Sequence, residues 1–149
     1  METGAGARLA TLLFETFGAM VDEVLAELAR SGHPGLTVAN EFAMQAIDSG
    51  ATNAAALSRS LGVTRQAATK TIAILEGLGY VVRDSDDSDA RRKNVQLTDL
   101  GRRAITVGSD AFDRIRERWV DTVGPRQSAA AEKALTALRA ELRSQRPRE

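Results

Sequence analysis

A mainly α-helical chain with one small β-hairpin is the fold class that these 149 residues predict. Three observations predict it. Apolar residues recur at three- and four-residue steps along most of the chain. Aromatics are few, whereas the strong helix formers Ala and Leu are abundant. Short strand-like runs occur only around Tyr80-Val81-Val82 and Val95–Leu97, on either side of residues 84–90 (DSDDSDA), which have turn composition.

Each element follows from its own residues. Over residues 7–31, Leu9, Leu13, Phe17, Met20, Val24 and Leu28 form one helical row, and Phe14, Val21 and Leu25 widen it. A stripe so broad predicts contact with more than one neighbour. Gly32 and Pro34-Gly35 stop this helix. Residues 36–47 predict a second helix capped by Thr37, with Phe42 and Ile47 facing inward. Thr52 or Asn53 caps a third, which carries Leu57 and Leu61 and ends at Gly62. Thr64 caps a fourth, residues 65–78, with Ala68, Ile72, Leu75 and Leu78 on one face. On its other face Arg65 and Thr69, and likewise Gln66 and Lys70, stand four residues apart. Gly79 ends it, and the hairpin follows. Thr98 opens a long helix with Asp99 in its first turn and a buried face of Ile105, Phe112, Ile115, Trp119 and Val123. Gly124-Pro125 breaks it. A last helix over about 126–143 carries Ala131, Leu135, Leu138 and Leu142 at coiled-coil-like spacing.

Composition narrows the function classes. The chain is one domain by size, residues 1–149. It has no cysteine, which excludes disulfides, thiolate metal sites and a cysteine redox sensor. That fits a reducing cytoplasm, the expected location. No run of about 18 apolar residues occurs, so no membrane span is expected. The start METGAGARLATLLFE lacks the pattern of a signal peptide. Net charge is zero but unevenly spread. Residues 1–50 hold two basic groups against seven acidic, a balance of −5. Residues 51–103 hold nine against six, a balance of +3, and residues 104–149 nine against seven, +2. The largest positive balance thus coincides with the polar helix and the hairpin. A polar helix beside a basic loop suits a DNA major groove and the groove next to it.

The order helix, helix, turn, helix, hairpin, helix is that of a winged helix-turn-helix, and three features resemble the MarR-type transcription regulators. One is the helix-turn-helix ending in Leu75-x-x-x-Gly79-Tyr80-Val81. Another is the wing signature Asp89-x-Arg91, followed after five residues by Leu97-Thr98. The third is Leu97-Thr98-x-x-Gly101 leading into the long helix. Leu36-Thr37 with Glu41-Phe42 sits where that family has its second helix, so the resemblance covers nearly the whole chain.

The resemblance implies a winged helix-turn-helix lobe at 36–101, with N- and C-terminal dimerisation helices at 7–31 and 102–145. It implies a homodimeric, ligand-responsive DNA binder, usually a repressor, acting on a pseudo-palindromic double-stranded operator. Recognition helix 64–78 would enter the major groove through Thr64, Arg65, Gln66, Thr69 and Lys70. The wing, 83–96, would reach the minor groove with Arg91 at its tip, beside Arg92 and Lys93. Arg65 can bond guanine O6 and N7 in bidentate fashion, and Gln66 suits adenine. Lys70 stands where many relatives have Arg, and it lacks the planar fork of a bidentate contact. Asp89 is expected to hold Arg91 in the wing, since a free carboxylate would repel phosphate. A small-molecule effector is implied too, an aromatic anion at family level, with no ligand residues assigned.

Blander readings stand beside these. A polar helix face is commonly just solvated, an Arg-Arg-Lys run is commonly a solvated turn, and the end helices could pack on their own domain. His33, the only histidine, caps a helix or faces solvent, or else makes a ligand or pH contact near a dimer interface. No metal site is expected without a Cys or second His partner. No Ser–His–Asp order, phosphate loop, HExxH or calcium-loop spacing occurs, so neither an enzyme nor a bound cofactor is expected. The competing function is a winged-helix protein-interaction module without specific DNA binding, which has no need of Arg91, Arg92 and Lys93 beside a polar recognition helix.

Overall fold

The computed structural model describes residues 4–84 and 94–145. Asp89, Arg91, Arg92 and Lys93, and with them the expected wing tip, lie outside the described residues. The described residues form α1 (Ala5–Arg30), α2 (Val38–Asp48), α3 (Ala54–Leu61), α4 (Arg65–Gly77), β1 (Val81–Arg83), β2 (Val95–Leu97), α5 (Asp99–Val123) and α6 (Pro125–Ser144). This is the winged helix-turn-helix order. The chain divides into two compact units, residues 1–111 and 112–149.

The first unit holds the main core. Thr37 caps α2 as expected: its hydroxyl accepts from the Asn40 N–H, and the Asn40 side chain accepts from the Thr37 N–H. Asn53, not Thr52, caps α3 by accepting from the Ala56 N–H at 2.8 Å. Leu28, Met44, Leu57, Ala68, Leu75, Val81 and Val95 are fully buried together with Ile47 and Ile72. They close α2, α3 and α4 over the hairpin. Strands β1 and β2 pair antiparallel in the register Val81↔Leu97, Val82↔Gln96, Arg83↔Val95. The Val95 N–H also donates to the Thr52 carbonyl at 2.8 Å, which ties the hairpin to the α2–α3 turn.

Apolar size misjudges burial in several places. Phe42 is exposed, its ring stacked at 6.2 Å on Phe17, because α2 buries the row Asn40, Ala43, Met44 and Ile47 instead. Leu78 is exposed because α4 ends at Gly77 and the chain turns away at Gly79. On α5 the buried residues are small: Gly101, Ala104, Gly108 and Ala111. Ile105, Phe112, Ile115 and Val123 are half-buried, and Trp119 is 37% exposed. Two close approaches explain this reversal. A Cβ on Gly101 would collide with the Tyr80 carbonyl, and one on Gly108 with the Glu41 carboxylate. Along α1 only Val24 and Leu28 are buried, while Leu9, Leu12, Leu13, Phe14 and Phe17 are exposed, Phe14 by 79%.

The second unit contains the end of α5 and α6. Gly124 precedes Pro125 at the first turn of α6, where a missing N–H costs no helical bond. Ser128 is buried, and its hydroxyl donates to the Gly124 carbonyl at 3.0 Å. Arg116 on α5 grips Glu132 on α6 with two nitrogens, at 2.6 and 3.2 Å. Leu135 and Leu142 of the expected stripe are exposed.

Candidate nucleic-acid interface

The α3–turn–α4 segment is built by caps at both helices and a glycine between them. Gly62 adopts φ 67° and ψ 33°, a left-handed conformation that only glycine takes without steric cost. The chain reverses there. Thr64, extended at φ −68° and ψ 155°, then caps α4, its hydroxyl accepting from the Ala67 N–H at 3.1 Å. Ala68, Ile72 and Leu75 face the core.

The opposite face carries the five residues expected there. Thr64, Arg65, Gln66, Thr69 and Lys70 are all exposed. No acid occurs on α4 before Glu76, and among the described residues no carboxylate pairs with Arg65 or Lys70. Both cations therefore stand clear of neutralising partners on a helix whose N-terminus adds positive potential. The Thr69 hydroxyl donates to the Arg65 carbonyl at 2.9 Å. Its proton is thereby occupied, which leaves a lone pair and a methyl group outward, suited to a base amine or a thymine methyl.

Glu76 at the end of α4 accepts from the Arg83 Nε of β1 at 3.0 Å, so the last turn of the helix is linked to the first wing strand. Gln96 Nε2 donates to Asp84 at 3.2 Å across the hairpin. Asp84 thus lies at the wing's base and is engaged there.

A junction beneath the wing joins these elements. The Tyr80 N–H donates to the Leu75 carbonyl at 2.9 Å, and the Tyr80 carbonyl accepts from the Thr98 N–H at 3.0 Å. The Thr98 hydroxyl donates toward the Gly79 and Tyr80 carbonyls, at 2.7 and 3.1 Å, and accepts from the Gly101 N–H at 3.1 Å. One threonine thus fixes the end of α4, the wing root and the start of α5. Arg102 adds a bond to the Leu97 carbonyl at 3.1 Å and an ion pair with Asp99 at 2.7 Å, which lowers the Asp99 pKa.

His33 does not face solvent, contrary to one expectation for it. It is 5% exposed, with Nδ1 3.3 Å from the equally buried Tyr80 hydroxyl. Its backbone N–H does close α1, donating to the Leu28 carbonyl at 2.8 Å. Burial, aided by the positive charge of Arg103, lowers the imidazole pKa, and burial raises that of Tyr80. Beside it opens a cavity of about 460 Å³ lined by Ser31, Gly32, His33, Leu100, Arg102, Arg103, Thr106 and Val107.

Glu41 was not anticipated as a buried group. It is 1% exposed, Oε1 accepts from Gln45 Nε2 at 3.2 Å, and Oε2 has no partner among the described residues. Burial raises its pKa, against a smaller opposing effect of the Gln45 hydrogen bond. Its spacing held the signal, because Glu41 stands three residues before Met44 on the core-facing row. Among the described residues no cluster of His, Asp or Glu could hold a metal ion, and no helix is long and apolar enough to cross a membrane.

Comparison with known proteins agrees with this architecture. Residues 43–92 match the model of the MarR family. No curated protein matches the chain. Among solved structures, FabT from Streptococcus pneumoniae in complex with DNA is 22% identical, with a TM-score of 0.76 over 94% of this chain and 99% of that one. RV1404 from Mycobacterium tuberculosis is 20% identical, with a TM-score of 0.69 over 94% and 95%. The Mycobacterium tuberculosis MarR family protein RV2887, in complex with salicylic acid, is 23% identical, with a TM-score of 0.65 over 92% and 97%. Members of the family are transcription regulators and not enzymes. Residues 43–92, which hold α3, α4 and β1, thus resemble the MarR family, and the fold is shared with these solved structures along the length of the chain.

Proposed function

We propose that this protein is a homodimeric, sequence-specific DNA-binding transcription regulator, a ligand-responsive repressor that works in the cytoplasm. The face of α4 carries the proposal: Thr64, Arg65, Gln66, Thr69 and Lys70 are exposed together, without an acidic partner among the described residues. In the major groove Arg65 and Gln66 read bases while Lys70 meets phosphate. Arg91 enters the adjacent minor groove, Arg92 and Lys93 contact the backbone, and Asp89 holds Arg91 in place.

Two further observations support the finer parts. Leu9, Leu12, Leu13, Phe14 and Phe17 on α1, and Leu135 and Leu142 on α6, form exposed apolar surface at both ends of the chain. Such surface marks an interaction site, and a two-fold operator needs a two-fold protein. Residues 7–31 and 102–145 serve as the dimerisation helices of a single domain whose DNA-binding lobe is 36–101. The cavity beside His33 offers the Arg103 guanidinium next to Leu100 and Val107, a combination that fits an aromatic anion as effector. RV2887 was solved with salicylic acid, an anion of that class.

Substitution of the reading face tests the proposal. Arg65→Ala or Gln66→Ala is expected to remove about 1–3 kcal/mol of discrimination at defined operator positions. Arg91→Ala is expected to weaken binding across sequences. If Arg65→Ala and Arg91→Ala both bind like the parent, the assigned face is wrong.

A further inference from the structure

Tyr80 is where the recognition helix, the wing and α5 meet, through its N–H to Leu75, its carbonyl to Thr98, and the close seat of Gly101 on that carbonyl. Its side chain points the other way, to His33. His33 is the only described side chain hydrogen-bonded to the Tyr80 hydroxyl, and its ring lies 5.8 Å from the tyrosine ring. The histidine in turn is fixed to the end of α1 by its backbone bond to Leu28. A chain of short contacts therefore runs from α1 through one imidazole to the root of the wing.

We propose that His33 is a positioning residue for DNA binding: its neutral ring seats Tyr80 and the β1–β2 root, and protonation unseats them and weakens DNA affinity. This rests on the DNA-binding function proposed above.

The surroundings give the sign. On α5 Arg103 and Arg102 line the cavity beside the ring; Arg102 is paired with Asp99, whose carboxylate also feels the charge of Arg103. On α1 the charged neighbours are Glu27 and Arg30, paired with each other at 2.6 Å. Tyr80 is the titratable group of the wing root. Among the described residues no carboxylate bonds to the ring, so a second positive charge there meets the cost of burial first and the repulsion of Arg103 beside it. An imidazolium must also donate from Nδ1, so the Tyr80 hydroxyl can then only accept from it. The folded state resists the proton more than the unfolded chain does. Stability therefore falls as pH drops below the ordinary imidazole value of 6.5.

Because this is the only histidine, no other side chain with an ordinary pKa titrates between pH 5.5 and 7.5. The experiment is a DNA titration of the full chain on its own upstream region at pH 7.5 and 5.5, at fixed salt, for the parent and His33→Gln. The imidazole resonances are followed by NMR, with and without DNA. Glutamine keeps a hydrogen bond to Tyr80 but cannot be charged.

If only the neutral ring permits binding, affinity falls on acidification by at most about tenfold for each protomer, about a hundredfold for the proposed dimer, which is the limit for unshifted imidazoles, and by less as their pKa is lower. His33→Gln is expected to bind as the parent does at pH 7.5 and to lose this dependence. By linkage, DNA must lower the His33 pKa in the complex. A histidine that merely contributes charge near a polyanion would do the opposite, with a raised pKa and tighter binding in acid. That result, or a pH dependence that persists unchanged in His33→Gln, overturns the positioning role and leaves the DNA-binding proposal standing. No specific binding at either pH overturns both.

Discussion

Replacing Gly101 by Ala tests how the wing root is held against α5. An added Cβ would collide with the Tyr80 carbonyl oxygen and lie 3.2 Å from Leu97 Cδ2. That oxygen already accepts from the Thr98 N–H and hydroxyl, at 3.0 and 3.1 Å, so the backbone cannot retreat without loosening both bonds. Overpacking of this kind costs about 1–3 kcal/mol. Loss of one hydrogen bond adds about 0.5–1.5 kcal/mol. Alanine recovers roughly 1 kcal/mol of helix propensity. The net expectation is destabilisation by about 0.5–3.5 kcal/mol. Gly77→Ala is the control, since that position opens to free space, and there a gain of about 0.4–1 kcal/mol is expected. Urea unfolding of the full chain at fixed concentration, with unchanged m-values, measures both. If Gly101→Ala is as stable as the parent, the close approach of α5 to Tyr80 is not a structural requirement.

Three further outcomes follow. Glu41→Gln alters the pH profile of stability: the unfolded carboxyl ionises near its ordinary value of 4.5, while the folded one keeps its proton to higher pH. The parent therefore loses stability relative to Glu41→Gln as pH rises above 4.5, by at most about 1.4 kcal/mol per pH unit, measured by urea unfolding from pH 4.5 to 7.5. Phe14→Glu, a charge placed at a site 79% exposed in the single chain, is expected to shift the mass in light scattering from dimer to monomer; an unchanged dimer would exclude this face from the interface. Glu76→Gln breaks the tie to Arg83 and is expected to cost under about 1 kcal/mol of stability, as an exposed pair does, seen as a small drop in urea midpoint.

Helix order and boundaries were legible in the sequence because caps and breakers act locally. Thr37, Thr64, Gly62 and Gly124-Pro125 each do what their chemistry requires within a few residues. The exposed face of α4 was legible for the same reason, since a polar row at helical spacing needs no tertiary information. Burial along α5 was not. Periodicity ranks large apolar residues as core, but here α5 is approached so closely by Glu41 and by the Tyr80 backbone that glycine and alanine fill the buried row. The same blind spot hid Phe42 and Leu78, and it hid Glu41, whose charge outweighed its position. The contact between His33 and Tyr80 spans 47 residues, and no local pattern announces it.

The measurement closest to the central claim is a salt titration of DNA binding. The purified chain is titrated against its own upstream region and against a scrambled duplex, at several salt concentrations, alongside Lys70→Ala. Tighter binding to the upstream region is expected, with log K falling linearly with log salt. Because Lys70 neutralises one phosphate in each protomer of the proposed complex, Lys70→Ala should make that slope shallower by about 1.8. Equal affinity for both duplexes at every salt concentration, or a slope unchanged by Lys70→Ala together with unchanged affinity, would contradict the placement of α4 in the major groove.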